Sequence, residues 1–220
     1  STTNIEFRDV TFRYNKDSRY ILKNVSFAVK KKGITVISGM TGAGKTTIIK
    51  LLLGFYQPQQ GKVLFEGKDV SSLRKDDYFS KFNIIVQGST LFDDTIENNI
   101  SYGCENVSFE EIQRAAKLSG ADEFITRRQD GYKTVFNSKS PNLSHGEIQL
   151  VLLARAFFRK REILVFDEAT SGLDVIAEKK IIEALQEIAK ESCVIVISHR
   201  TSSLSNSCDT INVSDSKVKM

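Results

Sequence analysis

Nine consecutive residues have the types and spacing to hold a polyphosphate: Gly39-Met40-Thr41-Gly42-Ala43-Gly44-Lys45-Thr46-Thr47. They match G-x-x-x-x-G-K-[ST], in which a glycine-rich turn aims successive backbone N–H groups at an anion. Gly42 and Gly44 let the backbone come close to the phosphates. Lys45 supplies a compact cation to the β- and γ-phosphates, and Thr46 offers a hydroxyl to Mg²⁺. Gly39, Thr41, Ala43 and Thr47 complete the set of nucleotide-binding candidates.

A second group stands at the ends of apolar runs. Ile163-Leu164-Val165-Phe166-Asp167-Glu168 has the composition of a strand buried on both faces, and it ends in two carboxylates. Charges placed there must be neutralised or used. Mg²⁺ on Asp167 and a water on Glu168 would do both. Asn83 to Gln87 reads as a buried strand, and ligands of open α/β sheets bind beyond the carboxyl ends of strands. Gln87 is then either a metal or water contact or a surface amide. Cys193 to Ile197 reads as another buried strand, followed by Ser198-His199. A lone histidine is most often structural, but His199 falls at the same sheet edge as Gln87 and Asp167. Tyr14 has two readings, a cross-strand packing residue or a ring presented to adenine.

Elements to position these residues are legible. Ile34-Thr35-Val36-Ile37 is β-branched and apolar, as the strand before a phosphate loop should be. Lys45 to Leu53 predicts a buried helix stopped at Gly54. Ile5, Phe7, Val10, Phe12 and Tyr14, and again Val25, Phe27 and Val29, alternate with polar residues. Both runs predict antiparallel strands with one wet face. Lys62 to Lys68 predicts a short strand and turn. Residues 108–160 read as helical, with Ser108-x-x-Glu111 and Ser144-x-x-Glu147 as capping boxes and Gly120 as a stop. Gln129 to Pro141 between them reads as polar loop. A helix after residue 174 would carry Val175, Ile176, Ile181, Ile182, Leu185 and Ile188 on one face and Lys179, Lys180, Glu183, Glu187 and Lys190 on the other.

The composition sets bounds. The 220 residues, 40% apolar and 26% charged, suit one soluble domain. A net charge of +4 with both signs interspersed is too weak to argue for nucleic acid. No uncharged apolar run approaches the ~18 residues that span a bilayer. Cys104, Cys193 and Cys208 are odd in number and far apart, and they read as reduced thiols of a cytosolic protein. The chain begins at Ser1 without a signal peptide and reads as part of a longer polypeptide.

From about Ile5 to about Asn212 the chain resembles the ATP-binding domain of an ABC transporter. Leu143-Ser144-His145-Gly146-Glu147 resembles the L-S-G-G-Q signature, and Ser171-Gly172-Leu173-Asp174 is similar to the D-loop. Asp167-Glu168 closes the Walker B strand, and Gln87, His199 and Tyr14 fall where the Q-loop, the switch histidine and the adenine-stacking aromatic belong. Asp167-Glu168-Ala169-Thr170 and Leu91-Phe92-x-x-Thr95-Ile96-x-Asn98-Asn99-Ile100 look like the exporter branch. The resemblance implies an α/β fold: a P-loop NTPase (RecA-like) core with a mainly parallel sheet, an antiparallel β subdomain and an inserted helical subdomain. It implies one domain over 1–220, the core being 1–88 and 160–220 and the helical part 89–159. It further implies an ATPase using ATP and Mg²⁺, with metal contacts from Thr46, Gln87 and Asp167. Glu168 would be general base, with His199, Lys45 and Gln87 assisting. Two domains would pair head to tail, as a homodimer or heterodimer, with Ser144, Gly146, Glu147 and Asp174 at the partner's nucleotide. A transmembrane domain would meet the Q-loop region, which sets the chain at the cytoplasmic side of a membrane.

The sequence departs from the family pattern in places. His145 replaces a signature glycine, and its bulk opposes close approach. Glu147 replaces glutamine and can complete a capping box. Thr134 to Ser140 reads T-V-F-N-S-K-S where exporters carry T-x-V-G-E-x-G, so Ser138 stands for the glutamate. Two other readings stay open: an ATP-gated switch with poor turnover, and a non-transport ABC ATPase.

Overall fold

The computed structural model describes residues 3–39, 42, 44–86, 88–167, 175–198, 208–214 and 217–219. The smaller of two sheets has the order β2-β1-β4-β5, with β1 Thr3–Phe12, β2 Leu22–Lys30, β4 Gln60–Phe65 and β5 Lys68–Asp69. Its pairings are all antiparallel, as the alternating runs predict. The larger sheet has the order β10-β9-β3-β8-β7-β6, with β3 Gly33–Gly39, β6 Phe82–Ile85, β7 Ile163–Asp167, β8 Cys193–Ser198, β9 Asp209–Ser214 and β10 Lys217–Lys219. From β9 to β6 it is parallel, and only β10 runs back antiparallel against β9. Helices α1 Lys45–Leu52, α2 Lys75–Phe79, α3 Ile96–Ser101, α4 Phe109–Ser119, α5 Asp122–Thr126, α6 His145–Arg159 and α7 Val175–Ala189 complete the chain, and α3 to α6 all lie between β6 and β7. Among the described residues no helix is long and apolar enough to cross a membrane. Cys104, Cys193 and Cys208 form no disulfide with one another.

Period-two alternation sends each central strand into two cores. Ile34 and Val36 of β3, Leu164 and Phe166 of β7, and Val194 and Val196 of β8 pack with α4, α6 and α7. Ile37, Ile163, Val165, Cys193, Ile195 and Ile197 face the other way, toward α1 and the antiparallel sheet. Strands covered on both faces have no wet side to mark with polar residues, hence their continuous apolar runs. In β1 the alternation slips between Phe7 and Val10, where a register shift and Asp9 at φ 49° insert an extra residue and return Val10 to the core.

Three expectations need correction. The run from Asn83 is a buried strand only in part: β6 is the sheet edge, and Ile84 and Val86 are 41% and 38% exposed. Val175 and Ile176 do not share the buried face of α7. They are 82% and 73% exposed, while Ile181, Ala184, Leu185 and Ile188 are buried. They are the first two residues of α7, whose buried positions begin only at Ile181. Helicity also begins before residue 108, at α3. The polar stretch 129–141 is loop as expected, apart from a 3-10 turn at Gly131–Lys133, and it is anchored because Tyr132, Thr134 and Phe136 are buried. Phe136 N donates to Asp94 O (2.9 Å) and Ile96 N to Thr134 O (2.9 Å), which ties this stretch to the start of α3.

The motif from Leu91 to Ile100 proves to be a polar knot. Asn99 is 1% exposed. Its Nδ2 donates to the carbonyls of Phe92 (3.0 Å), Asp94 (3.3 Å) and Thr95 (3.0 Å), and its Oδ1 accepts from Phe92 N at 2.9 Å. Arg155 of α6 donates to Asn99 O (2.6 Å) and Oδ1 (3.0 Å). Burial lowers the Arg155 pKa to about 10, with Arg159 adding repulsion. The guanidinium lies 5.3 Å from the Phe92 ring and 5.7 Å from Tyr102, whose rings stack at 4.1 Å. Asn99→Ala would remove one of the two Arg155 contacts, the residue 99 carbonyl being kept, and would strip Phe92 N and the carbonyls of Phe92, Asp94 and Thr95 of their side-chain partner, at ~1–3 kcal/mol for each group left unsatisfied. We expect urea unfolding to show a loss of at least about 2 kcal/mol, against less than about 0.5 kcal/mol for Asn98→Ala on the exposed side of α3.

Candidate functional site

Strand β3 stops at Gly39, and α1 starts six residues later. Gly39 has φ +151°, and a Cβ there would meet Val213 O of the neighbouring β9 at 2.3 Å, so only glycine fits. Gly44 caps α1 in the left-handed region at φ 106°. The helical ladder begins with Ile48 N donating to Gly44 O at 2.9 Å. First-turn amides of a helix point out of its end, where the macrodipole is positive. Lys45 is 5% exposed, and its Nζ donates to Gly39 O at 2.6 Å. A buried ammonium is thus folded back over the turn, at the place where an anion would sit. Gly42 stands at the crest of the turn with open space around its Cα, and the Thr46 side chain is exposed. Thr47 is buried, and its Oγ1 lies 3.0 Å from the hydroxyl of Tyr14. The turn therefore offers dipole, cation and hydroxyls to a polyphosphate. Thr41 and Ala43 lie outside the described residues.

Asp167 ends β7 on the same edge. It pairs with Ile197 of β8, and Ser38 of β3 pairs with Ser198, so β3, β8 and β7 finish together. Strands spaced ~4.8 Å apart put β3 and β7, one on each side of β8, roughly 10 Å from each other. Gln87 follows β6 by two residues, Glu168 follows β7 by one and His199 follows β8 by one. These three, and Asp174, lie outside the described residues. Among the described residues no three His, Cys, Asp or Glu side chains gather to hold a metal. The hydroxyl and carboxylate oxygens of Thr46 and Asp167 are the hard donors that Mg²⁺ takes together with phosphate and water.

The signature residues belong to a different surface. Ser144 caps α6: its Oγ accepts from Glu147 N (3.2 Å), and its own N–H donates to Glu147 Oε2 (2.8 Å). This is a complete capping box, as is Ser108–Glu111 at the start of α4. The Glu147 carboxylate also receives Arg128 Nη2 at 3.1 and 3.0 Å, a partner 19 residues away that no local spacing announces. Gly146 is buried, while Ser144 and His145 are exposed. The His145 ring turns back along its own helix. Its Nε2 lies 3.2 Å from Gln149 Nε2, within hydrogen-bonding distance. Gln149 is fully buried, and its Oε1 has no partner among the described residues. Because α1 packs in one core and α6 in the other, the phosphate turn and the signature helix occupy opposite faces of the sheet.

The steric view of His145 is therefore incomplete, since its ring covers a buried amide. His145→Gly would strip Gln149 Nε2 of its partner and put glycine into a helical first turn. We expect a loss of about 1–3 kcal/mol in urea unfolding. His145→Gly combined with Gln149→Leu should recover part of it, because an apolar side chain needs no partner. A glycine variant as stable as wild type would show that the ring contact contributes nothing.

Comparison with known proteins agrees with this geometry. The family model described as "ABC transporter" matches residues 22–171. An ABC transporter ATP-binding protein of Mycoplasma genitalium is 40% identical over 215 residues, which is 98% of this chain and 36% of that protein. An ATP-dependent lipid A-core flippase of Saccharophagus degradans is 39% identical over 211 residues, 96% of this chain and 36% of the flippase. The alpha-hemolysin translocation ATP-binding protein of Escherichia coli O6:H1 is 36% identical over 215 residues, 98% of this chain and 30% of that protein. The structure of a bacterial Atm1-family ABC exporter with ATP bound superposes with a TM-score of 0.87 at 34% identity, covering 100% of this chain and 38% of the exporter. The chain thus spans about a third of the length of these relatives. It belongs to the ABC transporter family, as an ATP-binding and ATP-hydrolysing domain with the P-loop NTPase fold.

Proposed function

We propose that this domain is the motor of an exporter, working at the cytoplasmic side of a membrane and pairing head to tail with a second such domain around two Mg-ATP. The observation that carries this reading is the buried Lys45 ammonium on Gly39 O, set beside the strand end that presents Asp167. The relatives add support, since they include an exporter with ATP bound and a flippase. Residues 1–88 and 160–220 would form the nucleotide-binding core, and 89–159 the helical part that carries the signature.

Lys45 would leave Gly39 O for the β- and γ-phosphates, while Gly39, Thr41, Gly42, Ala43, Gly44, Thr46 and Thr47 line the cradle. A bound Mg²⁺ would neutralise charge on the phosphates, and Thr46, Gln87 and Asp167 are the residues that would hold it. Glu168 would take a proton from the attacking water, whose oxygen bonds to the γ-phosphorus as the bond to the bridging oxygen of ADP breaks. His199 would keep water and γ-phosphate in line, and Tyr14 would stack on the base.

Ser144 caps its helix as an acceptor and so retains its hydroxyl proton to donate to a phosphate oxygen. Placement of α1 and α6 on opposite sheet faces supports the view that Ser144, Gly146 and Asp174 serve the partner's nucleotide. Glu147 is committed to its own helix terminus and to Arg128, which supports an indirect role in ordering that terminus. A transmembrane partner would rest near the Q-loop region, whose flank carries exposed Ile84, Val86, Phe92 and Tyr102.

Two measurements test this. Lys45→Ala should weaken ATP by about 100-fold or more in calorimetry, the scale of a lost charge-assisted contact; affinity within twofold of wild type would refute the cradle. Glu168→Gln should cut turnover by ~10²–10⁴-fold while binding persists. Size exclusion with Mg-ATP should then show a dimer for this variant and mostly monomer for wild type. A variant that stays monomeric at high protein and nucleotide concentration would count against the paired site.

A further inference from the structure

Tyr14 lies two residues beyond β1, in a segment of bends and turns with no strand ladder to hold it. It is nevertheless tied down on several sides. Its hydroxyl meets Thr47 Oγ1 at 3.0 Å, on the first turn of α1. Its ring meets Phe12 edge-on at 5.0 Å and 83°, and Tyr56 edge-on at 5.2 Å and 86°. Tyr56 in turn meets Phe12 at 5.7 Å and 62°, closing a triangle of rings. The ammonium of Lys50, on α1, stands over the Tyr14 ring 5.3 Å from its centroid. Tyr14 still keeps 38% of its surface exposed.

Each of these contacts restricts a rotor that would otherwise be free. Binding a planar base on a loop aromatic costs the conformational freedom of that ring, and a ring already held loses less on binding. Edge-on aromatic pairs and an ammonium over a ring face are orienting contacts as well as apolar ones. Phe12 is fully buried and packs the sheet regardless of Tyr14. Tyr56 differs: it is 43% exposed, follows the end of α1, and has Phe12 and Tyr14 as its aromatic neighbours.

We propose that Tyr56 is a positioning residue for the nucleobase, which, together with Lys50 and Thr47, holds the Tyr14 ring at the mouth of the phosphate cradle before nucleotide arrives. This rests on the reading of Tyr14 as the base-stacking residue. Tyr56 touches no nucleotide and acts through Tyr14. Its effect is therefore confined to ligands that carry a base.

Calorimetry with ATP and with inorganic tripolyphosphate, which has no base, separates the possibilities. Tyr56→Ala should weaken ATP by about 3–10-fold, the scale of one aromatic pair, and leave tripolyphosphate within about twofold. Tyr56→Phe should restore ATP affinity, and Phe55→Ala, at the exposed neighbouring ring that packs on Phe79 instead, should change neither ligand. Adding Tyr56→Ala to Tyr14→Ala should cost nothing further. If Tyr56→Ala is too unstable to assay, Tyr56→Leu fills most of the volume without a ring and carries the same expectation. Equal losses for ATP and tripolyphosphate would show a structural effect through α1 and overturn the proposal, as would additivity with Tyr14→Ala or no loss at all. If Tyr14→Ala itself leaves ATP unchanged, the base-stacking reading fails and the proposal falls with it. If wild type binds neither ligand, the phosphate cradle is at fault.

Discussion

A lysine buried to 5% exposure is costly unless its ammonium is compensated, and the Gly39 carbonyl at 2.6 Å is one of its partners. That contact constrains a large part of the molecule. It needs a strand that ends at the sheet edge, a turn short enough to bring Lys45 back over its own start, and a glycine where β9 presses against Gly39. In the proposed function a polyphosphate would meet Lys45 and the helix terminus together.

The parallel sheet makes this edge possible. In a parallel arrangement successive strands end on the same side, so β3, β8 and β7 deliver their last residues together. An antiparallel sheet would scatter them between both ends. Full burial of the strands on two faces supplies the rigidity, with α1 against one face and α4, α6 and α7 against the other. The same division separates the phosphate turn from the signature helix. In the proposed pairing each domain would carry two half-sites that its own fold keeps apart.

Around α6 most charged side chains are answered by groups from other parts of the helical region. Glu147 answers its own N-cap amide and Arg128, while Arg155 and Asn99 answer each other and the carbonyls before α3. These contacts link the signature helix to the segment that follows β6. His145 belongs to the same economy of hydrogen bonds, because its ring lies against the Gln149 amide where a glycine would leave that amide bare.

Much of the candidate site is local chemistry, and local chemistry is written in spacing. The turn from Gly39 to Thr47, both capping boxes and the doubly buried strand before Asp167 each depend on residues within a few positions of one another. The sequence by itself determined these, and with them the fold class. What it did not determine depends on neighbours far along the chain. Ile84 reads as buried until the sheet order makes β6 an edge, and Val175 and Ile176 read as core until the packing of α7 leaves its first turn exposed. Arg128 finds Glu147 across 19 residues, Arg155 finds Asn99 across 56, and Tyr14 finds Thr47 across 33. Apolar alternation reports which way a side chain points relative to its own strand or helix. Which element covers it, and which distant polar group answers it, was decided only when the tertiary structure brought them together.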